Sequence, residues 1–125
     1  MIRTITFDPP EWDRGEIMRY ARIRGADDSY AELIDACIRE AEPVLSYRIC
    51  YTILDIRHQN DRMTFGNITT DSKTIKTAVK DSSQALLFAA TIGTPFDRLL
   101  QRYSMLFPGN ALILPAIGAE RVESL

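Results

Sequence analysis

Residues 29–41 impose the tightest constraint on what this chain can become. Tyr30, Leu33, Ile34, Cys37, Ile38 and Ala41 recur at i, i+3, i+4, i+7, i+8 and i+11. That spacing is one apolar face of an α-helix, which has to be buried against a partner. Ser29 and Glu32 form an S-x-x-E pair, a capping box that predicts the helix start, and Pro43 closes the segment. The partner is sought among β-type segments. Residues 2–7 alternate Ile2, Thr4 and Thr6 against Arg3, Ile5 and Phe7, predicting a short, edge-type strand stopped by Pro9 and Pro10. Residues 46–56 are β-branched and aromatic, and residues 62–68 follow a polar stretch around His58 and Asn60. The pair predicts an antiparallel hairpin with a loop of about four to six residues. Residues 85–93, ALLFAATIG, are apolar on both faces, which predicts a central strand.

The remaining segments read as helices. Glu11 to Arg24 form one, ended by Gly25, and a short helix from Asp71 carries Ile75, Ala78 and Val79. Thr94 caps another, with Pro95 at its first position and Phe96, Leu99, Leu100, Tyr103 and Phe107 as its inner stripe, before Pro108 and Gly109 stop it. Asn110 opens a last helix in which Pro115 falls early enough to be tolerated. The order β-α-α-β-β-α-β-α-α is not a regular βα alternation. It predicts an α+β domain whose mostly antiparallel sheet is packed with helices. At 125 residues a single domain is expected, long enough to bury a core without disulfides. The last helix still runs at Leu125, so these residues are expected to be the N-terminal portion of a longer domain.

Composition excludes several functional classes. The 15 basic and 17 acidic residues nearly cancel, which argues against a nucleic-acid partner. No apolar run reaches membrane-spanning length, and MIRTITFDPP lacks a signal-peptide core, so a cytoplasmic protein with no membrane partner is expected. Cys37 and Cys50 make neither a disulfide framework nor a zinc quartet, and both read as packing residues. No phosphate loop, dinucleotide fingerprint, zinc-protease motif or nucleophile elbow is present. The single histidine, His58, stands between Asp55 and Asp61 and reads as part of a solvated turn rather than a metal cluster. Arg14, Arg19, Arg22 and Arg24 read as a solvated helix face, with an anionic partner as the alternative. Trp12, near Asp8 and Asp13, reads as a core residue rather than a ligand ledge.

Two places retain binding chemistry. At the Gly93 turn a strand feeds a helix N-terminus, and Thr91, Gly93 and Thr94 would present free N–H groups to a ligand. Glu120 and Glu123 stand three residues apart on the last helix and project in roughly the same direction. Glu123, beside the apolar line Leu114, Ile117, Val122 and Leu125, is suited to accept hydrogen bonds from ligand hydroxyls.

Taken together, the succession SKTIKTAVKDSSQALLFAATIGTPFDRLLQRY…ALILPAIGAERVESL resembles the activation domain of cobalamin-dependent methionine synthase, most nearly its stand-alone bacterial form. The resemblance rests on the helix from Ser72, the strand Ala85 to Gly93 ending A-A-T-I-G, the amphipathic helix Thr94 to Phe107, and the I-G-x-x-x-V-E-x-L pattern of Ile117 to Leu125, and spans roughly residues 14–125. It implies an α+β fold with a curved antiparallel sheet. It also implies a reactivation module that binds S-adenosylmethionine and supports reductive remethylation of cobalamin. The cobalamin is carried by a methionine synthase or related corrinoid protein, and the electron comes from a flavodoxin-like donor. By position Glu123 matches the family's cofactor-contacting glutamate, and Asp8 or Asp13 is the counterpart of an acid near the domain start. The family's Arg and Pro-Gly-Tyr cofactor segment follows this last helix and is absent from these 125 residues, so cofactor binding by them is expected to be weak or absent. A non-catalytic interaction domain that keeps the fold without the cofactor is the alternative.

Overall fold

A computed structural model describes residues 1–24, 28–106 and 110–125. Among them are five α-helices: α1 Arg14–Tyr20, α2 Ala31–Ala41, α3 Lys73–Ala78, α4 Thr94–Leu106 and α5 Asn110–Glu123. Five strands form one sheet: β1 Arg3–Thr6, β2 Arg48–Gln59, β3 Arg62–Phe65, β4 Ile68–Thr70 and β5 Gln84–Thr91. The fold is α+β. The strand path is β1-β2-β3-β4, with β5 also on β2. The β2–β3 and β3–β4 pairs are antiparallel. Backbone bonds from Ser46 N–H to the Ile92 carbonyl and from Ile56 N–H to the Ser83 carbonyl give β5 the same sense against β2.

The chain divides into two compact units, residues 1–4 with 50–89 and residues 5–49 with 90–125. The second unit holds a helical core. α5 packs on α1, α2 and α4. Ile17, Ile34, Cys37, Ile38, Ala41, Phe96, Leu99, Ile113, Leu114 and Ile117 are buried there. The predicted α2 stripe is therefore the buried one, with Leu33 partly buried and Tyr30 at its exposed end. Gly118 lets α5 approach α4 closely: a Cβ at that position would stand 2.8 Å from the Phe96 ring. Pro115 is not in the first turn of α5 but at its sixth residue. There it withholds the N–H that the carbonyl of residue 111 would otherwise accept.

The first unit is built differently. Met63, opposite His58 across the β2–β3 ladder, is its one fully buried apolar side chain among the described residues. Ile53, Leu86, Leu87 and Phe88 are exposed. β5 is thus not the central strand its composition predicts: its strand partner is β2 alone, and both of its faces are open. Composition records that both faces are apolar but not whether another layer covers them.

Other boundaries differ for local reasons. Asp13 caps α1 by accepting the Glu16 N–H, which starts the helix at Arg14 rather than Glu11. The α2 N-cap position is Tyr30, after a 3-10 turn at Asp28–Tyr30, one residue beyond the Ser29 of the capping-box pattern. The hairpin turn is only Asn60–Asp61, because His58 and Gln59 extend β2 and Asn60 takes the left-handed φ of 53° that a tight turn needs. Gly66, at φ 61°, then splits RMTFGNI into β3 and β4. Phe107 of the predicted α4 stripe and the predicted stops Pro108, Gly109 and Gly25 lie outside the described residues.

Two measurements check this packing. Ile34→Ala should cost about 2–5 kcal/mol in denaturant unfolding, as for other aliphatic core truncations. Burial, followed by the nearby Glu40 charge, pushes the Cys37 thiol pKa up, whereas Cys50 is half-buried on β2. Alkylation of the folded protein should therefore label Cys50 and reach Cys37 only on unfolding.

Candidate functional site

The end of α5 carries two charges that the fold buries. Glu120 is 2% exposed and Arg121 is 0% exposed. Arg121 Nε donates to Glu120 Oε2 at 2.7 Å and Nη2 to Glu120 Oε1 at 2.6 Å. Nη1 donates to the Pro10 carbonyl at 2.8 Å and to the Tyr47 hydroxyl at 3.2 Å, and Nη2 also donates to the Glu11 carbonyl at 2.8 Å. All five donors of the guanidinium fork are therefore occupied. Its Cζ lies over the Trp12 ring, 3.8 Å from the centroid, a cation–π contact. Glu120 Oε1 also accepts the Asp13 N–H at 3.1 Å. Burial works to lower the Arg121 pKa, but the bonds to Glu120 and Tyr47 outweigh it and hold the group above its ordinary value. Trp12 thus packs on a cation, and its Nε1 donates to Glu42 at 3.3 Å.

This cluster positions the residues singled out from the sequence. Asp8 follows Phe7, whose N–H donates to the Tyr47 carbonyl, and Tyr47 in turn reaches Arg121. Ser46, next to Tyr47, donates to the Ile92 carbonyl and lies against Gly93. The ends of β1 and β5 therefore flank the start of β2, and α5 is bonded to the same place. Asp8, Thr91 and Glu123 are exposed and Gly93 is buried. The Gly93 N–H is not free for a ligand: it donates to Thr91 Oγ1 at 3.0 Å. Gly93 has φ 96°, and a Cβ there would come within 2.5 Å of Ser46 Oγ, so the glycine serves a tight turn. Glu120 and Glu123 do not act as a pair, since the first is sealed in an ion pair and the second is open to solvent.

A cleft of about 320 Å³ runs between the end of α1 and α5. Tyr20, Ala21, Arg22, Leu112, Pro115, Ala116 and Ala119 line it. The α5 residues fall at i, i+3, i+4 and i+7, and Glu123 continues the same stripe one turn beyond Ala119. The Arg19 guanidinium lies 4.4 Å from the Tyr20 ring centroid and restrains it. Arg22 stands at the C-terminal turn of α1 with φ 60°, a left-handed conformation usually left to glycine, where Ile23 N–H reaches back to the Met18 carbonyl. The basic run is partly neutralised, since Arg19 pairs with Glu16 at 2.7 Å and Arg14 pairs with Asp35.

His58 belongs to β2, not to a loop, and Asp55 accepts from the Gln84 side chain. Among the described residues no group of three or more His, Cys, Asp or Glu could hold a metal, and no helix is long and apolar enough to cross a membrane. No family model, curated protein or solved structure matches this chain.

Sequence reasoning passed over Arg121, although adjacent Glu-Arg inside an otherwise apolar helix carries the signal. Breaking the pair from one side leaves an uncompensated buried charge, so Arg121→Met should cost about 3–5 kcal/mol in urea unfolding. The double variant Glu120→Gln/Arg121→Met should recover only part of that loss, because the Pro10 and Glu11 carbonyls stay without their donor.

Proposed function

We propose that the protein is a reactivation module that binds S-adenosylmethionine in the α1–α5 cleft and presents it to a cobalamin-carrying methionine synthase or related corrinoid protein. The observation that carries this reading is the single α5 stripe that lines an apolar, tyrosine-bearing cleft and ends in the exposed carboxylate of Glu123. The residues fit the ligand's chemistry. Small apolar residues and the restrained Tyr20 ring suit a planar base. A carboxylate, as an acceptor, suits ribose hydroxyls, an ammonium and the field of a sulfonium. Arg22 offers a cation to the ligand's own carboxylate. Arg121 does not, since its donors are spent on Glu120, Tyr47 and residues 10 and 11.

When bound, S-adenosylmethionine supplies the methyl group, and the electron for the cobalt comes from a flavodoxin-like donor. The chain's own part is to bind and orient. Glu123 holds the hydroxyl or amino edge, and the α1–α5 walls exclude water from the base. The bond from Asp13 N–H to Glu120 keeps the acidic N-terminal segment on α5, with Asp8 as a further exposed carboxylate. No proton transfer or nucleophile is asked of the protein, in keeping with methyl transfer between two bound cofactors. Thr91 and Gly93 enter this reading as structural residues of the neighbouring turn. A non-catalytic interaction domain is the second reading, favoured by the exposed apolar strand β5.

Calorimetric titration tests the proposal. S-adenosylmethionine should bind. A charge-assisted bond is worth about 1.5–3 kcal/mol, so Glu123→Gln should weaken binding by about ten- to a hundredfold. Ala119→Trp should block the cleft, and His58→Ala should leave affinity unchanged. Absence of binding, or binding indifferent to both Glu123→Gln and Ala119→Trp, overturns the assignment.

A further inference from the structure

Strand β5 has no charge, proline or glycine in its eight residues, Gln84-Ala-Leu-Leu-Phe-Ala-Ala-Thr91. Among the described residues its strand partner is β2 alone, which leaves one edge of backbone N–H and C=O groups unpaired. The other outer strands are blunted: β4 is three residues long and β1 carries Arg3. Short or charged edges resist pairing, whereas a long, uncharged, apolar edge invites another strand. On β5 Leu86 is 57% exposed, Leu87 46% and Phe88 60%, and Ile53 on neighbouring β2 is 56% exposed. Side chains alternate along a strand, so Leu86 and Phe88 make one face apolar and Leu87 with Ala89 the other.

We infer that β5 pairs with β5 of a second copy of this chain, in a two-fold antiparallel arrangement that continues the sheet from one molecule to the next. Antiparallel pairing of a strand with itself is isologous, so each residue meets a residue of the same segment. Centred on Leu87, it sets Leu86 against Phe88 and Ala85 against Ala89 in both halves. Every central pair is apolar, and no like charges oppose each other. At roughly 150–250 Å² for a whole aromatic side chain and somewhat less for an aliphatic one, the exposed parts of Leu86, Leu87 and Phe88 come to on the order of 300 Å² per copy. With the strand backbone and its smaller side chains added, the seam is a small interface, below the roughly 800 Å² per partner of a standard one, which fits a concentration-dependent dimer. The pairing also closes the open edge, so assembly stops at two copies.

Sedimentation of the 125-residue chain over roughly a hundredfold range of concentration should show a monomer–dimer equilibrium. Leu87→Lys and Phe88→Lys, both at exposed positions, should each weaken dimerisation by at least about tenfold, since a lysine at 87 meets its own copy across the two-fold axis and one at 88 sets a charge opposite the apolar Leu86. Met105→Lys, at the exposed Met105 of α4, should leave it unchanged, which separates strand pairing from general hydrophobicity. Amide exchange of residues 85–90 should slow as concentration rises. A monomer at every concentration, an open-ended aggregate, or a dimer indifferent to both lysine variants overturns the inference.

Discussion

The second unit depends on one buried guanidinium. Removing Arg121 from water is unfavourable, and the fold offsets this by filling each donor and setting the cation over the Trp12 ring. The acceptors come from three places in the chain: the backbone of residues 10 and 11, the Tyr47 hydroxyl and the Glu120 carboxylate. A single side chain therefore fixes where the N-terminal segment leaves β1, how β2 begins and where α5 ends. Apolar packing among α1, α2, α4 and α5 supplies area without direction. The arginine supplies direction, because its fork accepts few geometries.

The exposed chemistry gains its order from that anchor. Glu123 is open to solvent, whereas Glu120 and Arg121 of the same helix are sealed inside. Asp8 is held near the start of β2 through Phe7 and Tyr47. The α1–α5 cleft exists because α5 presents Pro115, Ala116 and Ala119 to the end of α1, where larger residues would close it. The non-glycine residue at φ 60° on its rim, Arg22, is a local strain retained where glycine would relieve it.

The two units show opposite uses of apolar sequence. In one, the helical stripes find each other and are sealed. In the other, Leu86, Leu87 and Phe88 remain open on a strand with a free edge. The pattern of β5 as written, apolar at successive positions, is the same pattern that a central strand would have. Burial is a property of neighbours, and the neighbours of this strand are set by topology rather than by its own residues.

The sequence by itself determined the α+β class, the buried stripe of α2, the N-terminal strand and the antiparallel sense of the hairpin. These rest on periodicity and on local backbone chemistry, which act over a few residues. It also marked Glu123, Gly93, Thr91 and Asp8 as positions able to carry binding chemistry. Only the tertiary structure decided that Glu120 is sealed while Glu123 is open, that the Gly93 N–H is spent on Thr91, that His58 belongs to a strand, and that β5 lies at an edge. The reason is the same in each case. Periodicity gives the face of an element, but hydrogen-bond partners more than a hundred residues away, as between Arg121 and the backbone of Pro10 and Glu11, exist only once the chain has packed.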